Sequence, residues 1–203
     1  MADATALQHE NRMGDVYYLQ EGRTRNGKPR YFTGRKLTGT PLAAMPEGHE
    51  FYERPETAQV VVRKISESAI TEFERKQAED IVRRASGLTH FIVAIEGNAL
   101  VVYTPAASRE ETDRLIEVLG GPAFGMGSAR ADAFRERHMR RSQYMKMLRF
   151  ELANPDRREY RAERWCFRGS IDNWIMLPGH GALAKVVEQY ARHLDRESFF
   201  ELM

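Results

Sequence analysis

The chain has one cysteine, Cys166, in 203 residues. That excludes an internal disulfide framework and a multi-cysteine zinc site, and it points to a reducing compartment. No stretch approaches the ~20 consecutive apolar residues of a membrane-spanning helix. The N-terminal Met-Ala-Asp-Ala-Thr-Ala-Leu-Gln-His-Glu lacks a basic start followed by an apolar run. Neither secretion nor membrane insertion is therefore expected, and the cytoplasm is the expected location. Net charge is almost absent: 31 cations against 29 acids leave +2. Attraction for an anion must then come from a local patch. Lysine is scarce, six against 25 arginines. The planar guanidinium fork suits phosphate or carboxylate, although a GC-rich codon composition yields the same bias. The six histidines, at 9, 49, 90, 138, 180 and 193, show no spacing that puts two on one helical face, so no metal is expected. No catalytic or cofactor motif is present.

What is present is an ordinary globular balance, 42% hydrophobic and 30% charged, enough for one domain or two small ones. Residues 1–13 are polar and aperiodic and read as a flexible tail. Val16 to Leu19 and Arg30 to Leu37 read as strands around a tight Asn26-Gly27 turn, in which both residues take positive φ. Glu50 to Glu53 and Ala58 to Lys64 flank the Arg54-Pro55-Glu56-Thr57 turn, completing an antiparallel meander of about four strands. Ile70, Phe73, Gln77, Ile81 and Val82 recur at helical spacing up to Gly87, a C-terminal stop. A hairpin through Glu96-Gly97-Asn98 follows, then a helix capped by Ser108 and ending at Gly120-Gly121. Residues 14–120 are thus expected to form one α+β domain.

The glycine-rich segment 121–127 is the expected linker. Running into Ser128, it resembles a phosphate-cradling loop, but no Lys follows its last glycine. From Ala129 no β-branched residue occurs before Ile171, so propensity predicts a smaller, mostly helical C-terminal region over 128–203. Against that, Leu148, Phe150 and Leu152 alternate with Arg149 and Glu151, and Trp165 and Phe167 alternate with arginines around an Asn154-Pro155-Asp156 turn. The expectation is helix to about Gln143, then a hairpin, with 144–168 open to either reading. Ala182 to Leu194 and Arg196 to Leu202 read as short helices, with Asp195 capping the second.

Two basic clusters stand out. Arg23, Arg25, Lys28, Arg30, Arg35 and Lys36 surround Tyr31 and Phe32 within fourteen residues that contain no acid. Cations neutralise phosphates, and an aromatic face offers stacking to an unpaired base, a pattern that suits RNA or single-stranded DNA. The competing reading is a solvated hairpin with one aromatic turned to the core. On the next helix Arg137, Arg140 and Arg141 share a face, either as a second anion contact or as a solvated surface. The segment Trp165 to Trp174 holds both tryptophans and Cys166. A thiol nucleophile there needs a histidine brought near by the fold, His180 or His193 by position; a small buried core side chain is the alternative.

The run Lys28-Pro29-Arg30-Tyr31-Phe32, then Met45-Pro46-Glu47-Gly48-His49-Glu50-Phe51-Tyr52-Glu53, then Gln59-Val60-Val61-Val62-Arg63-Lys64 resembles bacterial proteins of unassigned function that carry a Pro-Glu-Gly-x-Glu-x-Tyr-Glu segment. The resemblance covers about forty residues and implies a bacterial cytosolic source without a mechanism. The expected function is non-catalytic binding of nucleic acid or another polyanion through the 23–36 hairpin. The alternative is a scaffold subunit docking through its C-terminal helices (Phe199, Phe200, Leu202, Met203). An enzyme comes third, because no base, nucleophile or ligand set assembles from spacing.

Overall fold

In a computed structural model, residues 6–120, 128–168 and 171–203 are described. The main sheet has five antiparallel strands: β7 (Ile92–Glu96), β8 (Ala99–Pro105), β9 (Tyr144–Asn154), β10 (Glu159–Arg168) and β11 (Ile171–Ala182), in the order β11-β10-β9-β8-β7. Two-residue alternation decides its faces. Leu100, Val102, Leu148, Phe150, Leu152, Tyr160 and Ala162 point to one side and are buried under helices α1 (Glu72–Ser86) and α4 (Leu183–Ala191). Each such fully buried side chain contributes roughly 1.5–3 kcal/mol of transfer free energy. The other side carries Val101, Tyr103 and Tyr144.

The expected mostly helical C-terminal region is overturned. The described chain is 39% strand and 27% helix, with eleven strands in three sheets and four helices, and three of the longest strands lie beyond residue 143. Burial of the alternating Leu148, Phe150 and Leu152 outweighs the helix propensity of a segment without β-branched residues. The segment 121–127 lies outside the described residues, but β8 and β9, on either side of it, are neighbours in one sheet.

The N-terminal meander forms two further sheets. In the first, β2 (Val16–Arg23) pairs with β3 (Pro29–Gly34) on one edge, and with β1 (Gln8–Glu10) and β4 (Thr40–Pro41) on the other. Residues 8–10, within the run read as a tail, are thus a strand, and Asn11 is buried with its amide donating to Ala58 O at 2.7 Å. The second sheet is the hairpin of β5 (His49–Glu53) and β6 (Val60–Lys64). Its turn reaches the main sheet, where Tyr144 N–H donates to Glu56 O at 3.0 Å.

Helix α1 is closed at both ends by local chemistry, of which the Gly87 stop was expected. Thr71 and Glu74 form a reciprocal capping box, and Gly87 closes the helix at φ 75°. Phe73 departs from its expected place: it is 75% exposed, and Ala78 fills the core position instead. Burial pushes the Glu74 carboxyl up, but bonds from Arg158, Thr71 and Tyr160 outweigh it and hold it at about 2, below the ordinary 4.5. At the C-terminus, Asp195 makes no cap. It adopts φ 58° just past α4, and a 3-10 turn at Glu197–Phe199 replaces the second helix.

Candidate functional site

The β2–β3 connection is a β-turn from Thr24, with Gly27 N–H donating to Thr24 O at 2.9 Å and Gly27 itself at φ 77°. Asn26 keeps a negative φ, so the expected two-residue turn is replaced by a longer loop in which only glycine occupies the left-handed region. Thr24 fastens the loop through its hydroxyl, bonded to Lys28 O and Lys28 N–H at 3.2 and 3.1 Å. Arg23, Arg25, Lys28 and Arg30 are all exposed on this tip, and none has a carboxylate partner among the described residues. Outside the tip, nine arginines pair with carboxylates among the described residues: Arg12, Arg35, Arg63, Arg75, Arg83, Arg135, Arg149, Arg158 and Arg161.

The two aromatics of the cluster are engaged internally. Tyr31 meets His49 edge-on at 5.2 Å. Phe32, on the opposite face, lies against Gly22 and Gly39; a Cβ at Gly39 would sit 2.9 Å from its ring and 2.6 Å from Glu21 O. Both rings are half-buried. Gln20, fully buried beside them, accepts from Thr38 and Gly39 N–H at 2.6 and 2.8 Å and donates to Lys36 O at 2.9 Å. The aromatic pair thus supports the hairpin, and the cations stand beyond it.

Arg35 and Lys36 sit at the other end of the hairpin. Arg35 pairs with Asp15 at 2.7 Å. The eight residues of β2 separate this base from the tip by roughly 25 Å at ~3.3 Å per residue. Helix α3 (Ala129–Arg141) ends near the base: Arg141 donates to Met13 O at 3.3 Å. Arg137 and Arg140 are exposed and form no ion pair among the described residues. The sequence clusters therefore resolve into a tip patch and a base patch to which α3 contributes.

Other expected features have structural employment. In the Pro-Glu-Gly-x-Glu-x-Tyr-Glu segment, Glu50 pairs with Arg63 at 2.8 Å, the Arg63 guanidinium lies 3.7 Å over Tyr52, and Glu53 pairs with Arg12 at 2.9 Å. Cys166 is buried opposite Asn173. His180 lies opposite Arg161, roughly 16 Å along the strand from Cys166, and His193 bonds Ser198 at 2.9 Å. At the chain end Phe199 is buried and Leu202 packs on the core, leaving Phe200 and Met203 exposed. Among the described residues no group of three His, Cys, Asp or Glu could hold a metal, and no helix is long and apolar enough to cross a membrane.

A cleft of 340 Å³ that the sequence did not reveal opens between the end of α1, α3 and the start of α2 (Arg109–Gly120). Its lining comes from residues 86–112, 132–139 and 195, too scattered for a local motif. Glu136 meets His90 Nε2 at 3.2 Å, and Arg135 pairs with Asp132 at 2.7 Å and with Asp113.

No protein family, curated protein or solved structure matches the chain.

Proposed function

We propose that the protein binds nucleic acid through its phosphate backbone, without catalysis of its own, in the cytosol. The β2–β3 tip is the primary contact, and Arg137, Arg140 and Arg141 are a secondary one. One observation carries this reading: four exposed cations without carboxylate partners among the described residues crowd one turn, with no acid in the fourteen residues around them. Like charges held together repel, and a polyanion that displaces its own counterions onto them relieves that repulsion.

Because Tyr31 and Phe32 are committed to His49 and to Gly22 and Gly39, recognition rests on charge and not on base stacking. Sequence preference is therefore weak, and duplex and single strand both bind. The test is fluorescence anisotropy of labelled 20-nucleotide RNA, DNA and duplex across a salt series. Four phosphate contacts give a log–log slope of about −3 to −4 on duplex and about −3 on single strands. An absence of binding at low salt overturns the reading. Affinity that rises sharply for unpaired bases overturns its charge-only form.

A further inference from the structure

We propose that β11 is a self-pairing edge: two copies of the chain join antiparallel along residues 172–176, with Trp174 meeting its own counterpart at the two-fold axis, so that their main sheets become one. β11 ends the order β11-β10-β9-β8-β7 and pairs only with β10. Among the described residues, no backbone group of 172–177 bonds any other strand. An open row of backbone donors and acceptors is a template for another strand, and natural edges are blunted by lysine, proline or a bulge. In β11, Pro178 and the bulge protect only the second half. Residues 172–177, Asp-Asn-Trp-Ile-Met-Leu, hold a single charge and no lysine. The opposite edge of the sheet is covered: Arg75, from α1, donates to Val93 O of β7 at 3.3 Å.

The register follows from which groups point outward. Trp174 N–H donates to Asn173 Oδ1 at 2.8 Å and so turns away from β10. The opposed residues Trp165 and Trp174 are therefore a pair that exchanges no ladder bonds, and Asp172 and Met176 share the phase of Trp174. The N–H and C=O groups of all three face the open edge. Pairing centred on Trp174 sets Trp174 against Trp174, and Asp172 of each copy against Met176 of the other, with about six backbone bonds in all. No like charges meet. Shifted toward the C-terminus, the ladder would run into Pro178, which has no N–H and whose carbonyl already accepts from the Tyr190 hydroxyl. Apolar side chains flank the edge on both faces. Leu177 is buried under the helices, so Trp174 and Met176 lie on the outer face and Ile175 on the helix face. Met176 is 57% exposed. Ile175 stands opposite Arg164, whose guanidinium donates to Leu202 O, and Met203, 85% exposed, comes next. A ladder of this length makes an interface below the standard size, so the dimer is reversible, with a dissociation constant of about 1–100 μM.

The test is sedimentation velocity of the full chain over a concentration series, together with amide hydrogen exchange at low and high concentration. The expected result is a reversible association of the 23.4 kDa chain into dimers. In the dimer the amides of Asp172, Trp174 and Met176 gain protection, and those of Asn173 and Ile175 do not change. Met176→Glu sets a second carboxylate against Asp172 at two symmetric places and should weaken the dimer on the order of tenfold. Met176→Lys sets an ammonium there and should leave the dimer as tight or tighter. Both variants put a charge at the same exposed position, so opposite effects report this register and not general apolar adhesion. The proposal is overturned if the chain stays monomeric up to roughly 200 μM, if the two variants act alike, or if the new protection falls outside 172–176. Protection at 172–176 that does not depend on concentration also overturns it, because the edge is then covered by a segment of the same chain.

Discussion

The hairpin tip and the main sheet's outer face are both rich in arginine, but they use it in opposite ways. On the sheet, Arg149 pairs with Glu163 and lies 4.7 Å over Trp174, and Arg161 pairs with Glu151 at 2.7 Å across β9 and β10. Those cations are neutralised by the neighbouring strand. At the tip, Arg23, Arg25, Lys28 and Arg30 face solvent with no acid opposite them. The contrast separates arginine that holds the fold from arginine left available to a partner, a distinction that composition alone conceals.

Removing a sheet arginine should give the largest loss of stability. Arg149→Ala strands the Glu163 carboxylate, which is 9% exposed. The expected cost is about 3 kcal/mol, a fall of roughly 6–12 °C in melting midpoint, with the salt slope of nucleic-acid binding unchanged. A change in that slope would erase the distinction between the two regions.

Glu74→Gln should cost on the order of 2 kcal/mol at neutral pH, measured by denaturant midpoint. The folded carboxyl titrates at about 2, below its ordinary 4.5. Its contribution is therefore full above about pH 4.5 and is lost as the pH falls toward 2. The gap between wild type and variant should close over that window, and a gap independent of pH would contradict the account.

Gly39→Ala forces a Cβ to within 2.6 Å of Glu21 O and should cost about 1–3 kcal/mol while leaving the binding slope intact, since it removes no charge. The smallest stability effect belongs to the tip. The triple variant Arg25→Ala, Lys28→Ala, Arg30→Ala should unfold within about 0.5 kcal/mol of wild type, because those side chains contribute no internal pair.

The sequence exposed features that rest on local chemistry. The Gly87 stop, the Ser108 cap and the Glu96-Gly97-Asn98 connection are each set by one or two residues, and each lies where expected. Strands β9 to β11 were harder to read because their stability is non-local. Met145, Met147, Leu148 and Arg149 favour helix in isolation, and only pairing with β8 and burial under α1 and α4 make them a strand. In β11, Pro178 and two glycines mask a strand that bulges opposite Arg161 to Glu163. The six cations of 23–36 could be counted in the sequence. That Arg35 is paired and the tip is not required Asp15, twenty residues upstream, to be placed beside it.

The most direct test compares salt slopes for duplex binding by wild type, by the tip triple variant, and by Arg137→Ala, Arg140→Ala, Arg141→Ala. The account predicts that the tip variant loses about three units of slope and most of its affinity, whereas the α3 variant loses less. A tip variant that keeps the wild-type slope would contradict the claim that the unpaired cations of the hairpin carry binding.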